Sequence, residues 1–419
     1  MARFIFLLLH PLWQLIDRMT PKRADCWAFS THHLHTGRFI ENQRAMFELV
    51  KRDPGIHKIV FYRGEPPDLR IEDAIRYRVL RHGTLRGLLW LARCKVVFLT
   101  HSVSMDYSLR WPGGRFSILK LSMRHRIVVN LWHGIPLKRL LYAANDATSR
   151  HTSRIQYRTT ERRKYAGLIA SSDIDSYAMA SMFYPLNYHQ IWNTGLPRND
   201  FLTQAEELLP SYIQDSLRLI RAKRQGKKLV IYAPTYRQTA ISDGAHYYQF
   251  SAGEIERLKS VLHSHDAVLG YRPHYFKNST NYFNMDEYVD DVSIFDMSQD
   301  AVPEFSALAR ECGLLVTDYS SVYIEALYLD KPIICFGYDI EHYKAHEDGL
   351  LYDMELAFPG PIAQDFGTLI EHIDEALRHD GGSAHQQRAT ARKIFFKYND
   401  SMNSERVRRE IVRRLENEA

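Results

Sequence analysis

The stretch from residue 313 to residue 339 restricts the fold more than any other part of the chain. It contains two short apolar runs, Leu314–Val316 and Ile333–Phe336, of the kind found in buried parallel strands. Residues 322–329 between them have helical spacing, and Lys331-Pro332 ends that helix. The order strand, helix, strand predicts a βαβ unit, and therefore a parallel sheet covered by helices.

Two serines, Ser320 and Ser321, stand where the predicted helix begins. A helix N-terminus presents unpaired N–H groups and a partial positive charge, so it suits a phosphate, to which serine hydroxyls can also donate. Glu325, about one turn further on, could accept hydrogen bonds from ribose hydroxyls. Capping the helix is the simpler role for the serines, and the pattern alone leaves both interpretations open.

Similar apolar runs predict further strands, separated by helical segments, in the rest of the chain. In the first half, strands are predicted at 59–62, 96–100, 127–131 and 167–171, and helices at 40–52, 71–93 and 137–145. In the second half, strands are predicted at 229–232, 267–271 and 293–296, before the βαβ unit. A chain of 419 residues has room for two or three domains. The pattern therefore predicts an α/β protein with two doubly wound domains.

A break in this pattern near residues 193–198 sets the expected domain bounds. We expect an N-terminal domain over residues 25–195 and a C-terminal domain over residues 196–385. Residues 386–419 are largely helical and strongly basic. This last stretch either crosses back to the N-terminal domain or lies on the surface with a solvated basic face.

Residues 1–24 contain an apolar run that is too short to span a bilayer, and no cleavage site of small residues follows it. An interfacial helix that associates with a membrane, with Leu8, Leu9, Trp13 and Ile16 on one side, is one interpretation. An ordinary first helix packed on the domain is the other. The basic, Trp-containing segment 75–95 also has two interpretations: it contacts anionic lipid headgroups, or it presents a solvated basic face over an apolar one.

Charge and cysteine content narrow the class of protein. The formal net charge of +6 suits anionic substrates or a membrane surface but is too small to indicate nucleic acid. Four cysteines lie far apart without paired spacing, so neither a zinc site nor a disulfide framework is predicted. We therefore expect a protein of the reducing cytoplasm.

Polar residues follow several predicted strands, at the edge where open α/β sheets bind ligands. Trp132, His133 and Gly134 follow one strand, and the glycine allows close approach of the backbone to a ligand. Thr235 and Arg237 follow the first strand of the second half and could hold a phosphate. A single histidine in a chain with 20 of them is more often structural, so position alone does not make His133 catalytic.

Six motifs, in a fixed order, resemble those of the CDP-glycerol glycerophosphotransferases, the teichoic acid glycerol and ribitol phosphate transferases. They are F-I-E-N-Q-R (39–44), W-H-G-I-P-L-K (132–138), G-L-P-R-N-D (195–200), A-P-T-Y-R (233–237), R-P-H (272–274) and T-D-Y-S-S-V-Y-I-E (317–325). Residues 349–361, G-L-L-Y-D-M-E-L-A-F-P-G-P, resemble a further family stretch. Tyr275 stands where the family usually has proline, and Glu325 replaces a more usual aspartate.

The resemblance implies a GT-B-like fold, with two Rossmann-like domains, an interdomain cleft and the cytidine nucleotide in the C-terminal half. It implies transfer of glycerol phosphate from CDP-glycerol to a hydroxyl of a glycan or poly(polyol phosphate) acceptor, with release of CMP. His133 and His274 are the implied catalytic residues, one as base and one at the donor diphosphate, and the two roles are interchangeable at this point. The implied substrate-binding residues are Trp132, Gly134, Lys138, Thr235, Arg237, Arg272, Thr317, Asp318, Tyr319, Ser320, Ser321 and Glu325.

Further expectations concern partners, cofactors and location. We expect synthesis of a teichoic-acid-like or capsular polymer by a cytoplasmic protein peripheral to the inner face of the bacterial membrane, with a lipid-linked acceptor as one option. No cofactor beyond the donor is predicted, metal dependence is open, and nucleic acid is not expected as a partner. CDP-ribitol as donor, a nucleotide-sugar glycosyltransferase of the same fold, and a non-catalytic scaffold remain as alternatives.

Overall fold

Short apolar segments alternate with helices along the chain and build two parallel β-sheets. The computed structural model describes residues 2–32, 38–110, 117–143, 153–235, 237, 247–274, 283–346, 349–379 and 384–417. Tyr236 and Tyr275, which belong to or adjoin two of the motifs, lie outside these ranges. The predicted α/β class with two parallel sheets is confirmed.

The first sheet is formed by strands from the first half of the chain. They are Arg23–Ser30 (β1), His57–Tyr62 (β2), Tyr77–Arg81 (β3), Cys94–Leu99 (β4), Ile127–Asn130 (β7), Gly167–Ala170 (β8) and Ile191–Asn193 (β9), while Leu109–Arg110 (β5) and Ser117–Leu119 (β6) pair as a separate antiparallel ribbon. The order is β3-β2-β1-β4-β7-β8-β9, and every neighbouring pair is parallel. Strands β7 and β8 are buried along their whole length, as expected where helices cover both faces.

The second sheet is formed by strands from the second half. They are Lys228–Ala233 (β10), Ala267–Tyr271 (β11), Ile294–Asp296 (β12), Leu314–Thr317 (β13), Ile333–Phe336 (β14) and Ile362–Ala363 (β15). The order is β12-β11-β10-β13-β14-β15, again with parallel neighbours. The βαβ unit predicted between residues 313 and 339 is therefore confirmed, with β13 and β14 adjacent.

Helices connect the strands and cover the sheets. Up to residue 203 they are Ala2–Met19 (α1), Glu41–Val50 (α2), Leu85–Arg93 (α3), Val103–Asp106 (α4), Ser153–Arg162 (α5), Asp173–Met182 (α6) and Asp200–Thr203 (α7). The later ones are Ser211–Arg224 (α8), Ala252–Ser264 (α9), Phe305–Glu311 (α10), Val322–Tyr328 (α11), Ile340–His346 (α12), Met354–Ala357 (α13), Phe366–Arg378 (α14), His385–Phe395 (α15) and Asn403–Asn417 (α16). Helices α9 and α14 pack their apolar side chains against Val230, Leu269 and Val316 of the second sheet.

The chain divides into two compact units, each built around one sheet. The first unit comprises Met1–Gly134, His151–Asp200 and Asp400–Ala419, and the second comprises Ile135–Arg150 and Phe201–Asn399. Residues 135–143 therefore group with the second unit, although they follow the first-unit strand β7. Antiparallel pairing of Lys138 with Leu350 is the physical reason for this grouping.

Two helices predicted from the sequence are wrong. The segment 71–93 contains the edge strand β3, and helix α3 begins only at Leu85, after Thr84 accepts a hydrogen bond from the Gly87 N–H at 3.0 Å. The basic residues of this exposed edge strand have a spacing that also fits the polar face of a helix, which explains the wrong prediction. The segment predicted as a helix at 137–145 forms, in its described part, the bridge at Lys138 and a single 3₁₀ turn at Leu141–Ala143.

Helix α1 is anchored to the first unit on one side and exposes apolar residues on the other. Trp13 is 5% exposed, packs with Ala92 and Leu119, and donates its Nε1 hydrogen to the Lys120 carbonyl at 3.0 Å. The expectation that Trp13 shares the outward apolar side is therefore wrong. The apolar side chains of the helix that are exposed include Leu9, Leu12, Leu15, Ile16 and Met19.

None of the helices described here is both long enough and apolar enough to cross a membrane.

The final helix, α16, is held in the first unit by the motif at residues 195–200. The Asp200 carboxylate accepts hydrogen bonds from the Asn403 N–H at 2.8 Å, the Asn403 amide at 2.9 Å and the Ser404 N–H at 2.9 Å. A Cβ on Gly195, whose φ is +80°, would lie 1.9 Å from Asn403 Oδ1. Asp200 is thus an N-terminal cap for a helix about 200 residues away in sequence.

We expect the Asp200→Ala variant to lose about 1–2 kcal/mol of unfolding free energy, because three buried donors lose their acceptor. Urea denaturation of both proteins measures this difference. The matched control is Asp215→Ala, since Asp215 pairs with Arg218 on the exposed surface of α8 and should change stability by about 0.5 kcal/mol or less. Equal stability of the two variants would contradict a capping role.

Candidate active site

Three histidines follow three neighbouring strands at the carboxyl edge of the first sheet. His32 lies just beyond β1, His101 just beyond β4 and His133 just beyond β7. The ring centroids of His32 and His101 are 5.4 Å apart, and those of His101 and His133 are 5.0 Å apart. The parallel order β1-β4-β7 thus gathers side chains that are distant in sequence into one cluster.

Two amide side chains of helix α2 fasten the loops that carry this cluster. Asn42 donates a hydrogen bond to the Trp132 carbonyl at 3.0 Å. Gln43 accepts from the Ser30 N–H at 2.6 Å and donates to Thr100 Oγ1 at 3.0 Å. Both amides are buried, so these bonds form away from competing water and hold the loops in one arrangement.

Trp132 has a left-handed backbone, with φ at +48°, which is costly for a bulky residue. Its N–H donates to Asn130 Oδ1 at 2.8 Å, which stabilises this conformation. The indole ring lies 3.9 Å from the His133 ring between centroids. Trp132 therefore contacts and positions the ring of His133, the next residue of the motif.

His133 combines a buried ring nitrogen with several cationic neighbours. Its Nδ1 is buried and has no hydrogen-bond partner, while the ring makes a hydrogen bond with the backbone of Thr100. Burial lowers the pKa of His133 well below the ordinary 6.5, and the charges of His101, His32 and Arg198 lower it further. The imidazole is therefore neutral at pH 7 and able to accept a proton.

The carboxyl edge of the second sheet is organised by a buried arginine. Arg237, 1% exposed, pairs with Asp318 at 2.9 Å and with Asp339 at 2.8 Å. It also donates to the Thr235 carbonyl at 2.8 Å, and the Thr235 N–H donates to Asp318 at 3.0 Å. Thr317, directly before Asp318, donates its hydroxyl to the Ala233 carbonyl at 2.7 Å. These bonds join the ends of β10, β13 and β14.

Aromatic rings extend this network to Lys138. Tyr319 donates its hydroxyl to Asp339 at 3.0 Å, and its ring lies 4.0 Å from the ring of Tyr343. The Arg237 guanidinium lies 5.1 Å from the centroid of each ring. The Lys138 ammonium lies 5.1 Å from the Tyr343 centroid, a cation–π contact. Lys138 is thus placed next to the turn that contains Asp318.

Ser320 and Ser321 follow this network and are half-buried. Ser321 occupies the N-cap position of α11 but makes no side-chain capping hydrogen bond, and Ser320 Oγ accepts only a long one, 3.4 Å, from the Val322 N–H. Glu325 lies in the first turn of this helix and is 7% exposed. Capping therefore does not account for the two hydroxyls.

Arg272 and His274 follow β11, and both are half-buried. Arg272 donates to the carbonyls of Met297 at 3.0 Å and of Val302. It therefore fastens the loop after β12, while His274 lies two residues further along the same strand end.

No group of three or more His, Cys, Asp or Glu residues in the described ranges is arranged to hold a metal ion.

Comparison with known proteins identifies the family. Residues 18–413 match the family model described as CDP-glycerol:poly(glycerophosphate) glycerophosphotransferase. The chain belongs to this family. Both the predicted family and the predicted class of enzyme, a transferase, are confirmed.

Individual relatives of this transferase agree with that membership. A teichoic acid poly(glycerol phosphate) polymerase of Bacillus spizizenii is 28% identical over 351 residues, 81% of this chain and 80% of the relative. A teichoic acid ribitol-phosphate primase of the same organism is 24% identical over 401 residues, 94% of this chain and 92% of the relative. A structure of the wall teichoic acid polymerase TagF superposes with a TM-score of 0.76 at 18% identity, covering 97% of this chain and 93% of that one. The last likeness confirms the GT-B-like fold.

The predicted site residues of the transferase lie in both units. Trp132, His133 and Gly134 belong to the first unit, and the remaining ones, Lys138 included, belong to the second. The network around Arg237 includes Thr235, Thr317, Asp318 and Tyr319. The sequence predictions do not include His32 and His101, although both follow apolar runs as His133 does. Asn42 and Gln43 belong to the motif F-I-E-N-Q-R, but no role is predicted for them.

The substrate-binding role predicted for Arg237 stays a prediction, and the structure shows other contacts for its guanidinium. Its guanidinium already pairs with two carboxylates and a carbonyl, and its side chain is 1% exposed, so it is not presented to a phosphate. Thr235 likewise directs its N–H and its hydroxyl at Asp318. Both residues thus contact Asp318, the first residue of the Asp318–Ser321 turn.

We expect the Arg237→Ala variant of the transferase to lose about 3–5 kcal/mol of stability, because Asp318 and Asp339 become buried charges without a partner. Differential scanning fluorimetry with and without CDP-glycerol measures both stability and binding. The control is Arg221→Ala, which removes the pairs with Glu206 and Glu311 and leaves Glu311 paired with Arg224. Because the Arg221 side chain is exposed, this change should cost about 1 kcal/mol or less. If Arg237→Ala kept its stability but lost nucleotide binding, the result would support direct contact between Arg237 and a phosphate.

Proposed function

We propose that this transferase moves glycerol phosphate from CDP-glycerol to a terminal hydroxyl of a glycan or poly(polyol phosphate) acceptor, in the synthesis of a teichoic-acid-like or capsular polymer. The observation that carries the proposal is the buried, unpartnered Nδ1 of His133 in a chain of this family. A neutral imidazole with a free ring nitrogen is the group that such a transfer needs as its base.

The proposed reaction breaks one bond to phosphorus and forms another. His133 accepts the proton of the acceptor hydroxyl, and the acceptor oxygen attacks the phosphorus that carries glycerol. The bond from this phosphorus to the bridging oxygen breaks, and CMP leaves with that oxygen and its electron pair. The products are CMP and an acceptor extended by one glycerol phosphate, with the proton on His133 passing to solvent.

Donor binding is proposed for the carboxyl edge of the second sheet. The hydroxyls of Ser320 and Ser321 suit the diphosphate, because the network behind them fixes the turn and capping does not use them. Lys138 supplies positive charge near this turn, and Glu325 suits the ribose hydroxyls. His274 is proposed to act at the diphosphate or the leaving CMP. No cofactor beyond the donor is proposed.

CDP-ribitol remains the second candidate donor. The ribitol-phosphate primase of Bacillus spizizenii covers 94% of this chain, more than the 81% of the poly(glycerol phosphate) polymerase, although its identity is lower. The two donors differ only in the polyol, so the nucleotide-binding residues named above serve either.

The test is CMP release by purified protein from CDP-glycerol, CDP-ribitol and a UDP-sugar, with a membrane or glycan extract as acceptor and with an EDTA arm. We expect acceptor-dependent CMP from CDP-glycerol. His133→Ala and His274→Ala should each reduce turnover by about 10²- to 10⁴-fold without loss of folding. In wild type, the acidic limb of kcat/KM should lie below pH 6.5, since the pKa of His133 is lowered and the base must be unprotonated.

The control variant is His265→Gln, because His265 pairs with Asp374 at the surface of the second unit, away from these groups. Turnover of the UDP-sugar alone would overturn the proposed donor. Turnover of CDP-ribitol alone would favour CDP-ribitol as the donor. If no donor were turned over, even where one binds, a non-catalytic scaffold would be favoured.

We also propose that the protein works at the cytoplasmic face of the membrane, docked through helices α1 and α3. Leu12 and Leu15 of α1 are 54% and 57% exposed, and Leu85 of α3 is 75% exposed. Arg18 and Arg86 are exposed on the same two helices. Apolar side chains flanked by arginines suit the headgroup region of an anionic bilayer, where a lipid-linked acceptor would be found.

We expect the double variant Leu12→Glu/Leu15→Glu to lose binding to vesicles of phosphatidylglycerol and phosphatidylcholine, because it places acidic groups in the docking face. Co-sedimentation at low and physiological salt measures this loss. The control is Leu208→Glu, which changes an apolar residue 67% exposed in the second unit. Undiminished sedimentation of the double variant would contradict docking through α1.

A further inference from the structure

His101 is placed beside His133 by its own set of contacts. Its N–H donates to Asp106 Oδ2 at 3.0 Å, and its carbonyl accepts from the Asn130 amide at 3.2 Å. The Thr100 N–H donates to the same Asp106 oxygen at 2.9 Å. One buried carboxylate, at the end of helix α4, therefore fixes the backbone on which the His101 ring stands.

The same carboxylate also faces the ring. Asp106 Oδ1 lies 3.6 Å from His101 Nδ1. The His101 ring also lies near the rings of His32, at 5.4 Å, of His133, at 5.0 Å with an angle of 31° between planes, and of Trp132, at 6.4 Å. A carboxylate, an imidazole and the proposed base thus follow one another across the strand ends.

Other charged groups of this cluster face away from His133 or act on it as cations. Glu41 lies 3.8 Å from His32 and 3.5 Å from Arg198, so it is paired with those two residues. His32, His101 and Arg198 all oppose a positive charge on His133. Asp106 faces the cluster from the side of His101, with its Oδ1 3.6 Å from His101 Nδ1.

We propose that His101, oriented by Asp106, is a positioning residue for the His133 imidazole and sets the proton affinity of this base. The His101 ring limits where the His133 ring can lie, and His101 is among the neighbours that lower the pKa of His133. This inference rests on the proposed function, in which His133 is the base.

The test compares wild type with His101→Gln, which keeps a polar side chain but removes the imidazole ring. We expect kcat to fall about 10-fold or more, because the base loses its fixed geometry, while KM for CDP-glycerol changes little. We also expect the acidic limb of kcat/KM to move to higher pH, since the variant removes one of the neighbours that lower the pKa of His133.

A second readout does not depend on turnover. The C–H resonances of His133, assigned in ¹³C-histidine-labelled protein by their loss in His133→Gln, are titrated in wild type and in His101→Gln. The His133 resonance should titrate at higher pH in the variant. His57→Gln is the control, because His57 begins β2 at the opposite edge of the same sheet, and it should shift neither the resonance nor the limb.

The outcomes separate this inference from the proposed function. Loss of thermal stability in His101→Gln with an unmoved limb and resonance would overturn the positioning role and leave a structural one. Should this variant fail to fold, His101→Asn is measured in the same way and with the same two criteria. Full activity of His133→Ala, or no turnover of CDP-glycerol by wild type, would instead refute the proposed function itself.

Discussion

A guanidinium that is 1% exposed needs opposite charge close by, and this requirement organises the carboxyl edge of the second sheet. Asp318 follows β13, Asp339 follows shortly after β14, and Arg237 follows β10, so the pairing joins three neighbouring strands. Each partner satisfies charges that would otherwise be buried alone. The turn that begins at Asp318 is therefore held by contacts with residues that follow two neighbouring strands.

The first unit fixes its loops with buried amides, in addition to the carboxylate of Asp106. Asn42, Gln43 and Asn130 are neutral amides, and their hydrogen bonds determine the positions of residues 30, 100 and 132. A full charge in their place would act on His133 through an interior of low dielectric constant and change its pKa. Amides supply the same rigidity without that effect. The pKa of His133 is then set by burial and by the cations around it.

The sequence predicts those parts of this arrangement that depend on local pattern. Apolar runs locate β13, β14 and the helix between them, because buried parallel strands are continuously apolar. The pattern fails at β3, where an edge strand is largely exposed and its arginines imitate a helical face. Strand order is not local, so the meeting of His32 and His101 with His133 could not be predicted. The partners of Arg237 could not be predicted for the same reason. Its position at the end of a strand follows from the sequence, whereas its pairing with two aspartates depends on the tertiary structure.

The W-H-G-I-P-L-K motif contains residues that belong to both structural units. His133 belongs to the first unit, while Lys138 pairs with Leu350 in the second. The Leu351 N–H donates to the Leu137 carbonyl at 2.9 Å, which continues this pairing with the stretch 349–361. Because Lys138 also lies over Tyr343, the motif connects the strand that carries the proposed base to the aromatic layer behind the Asp318 turn. One short motif therefore supplies a residue to each of the two units.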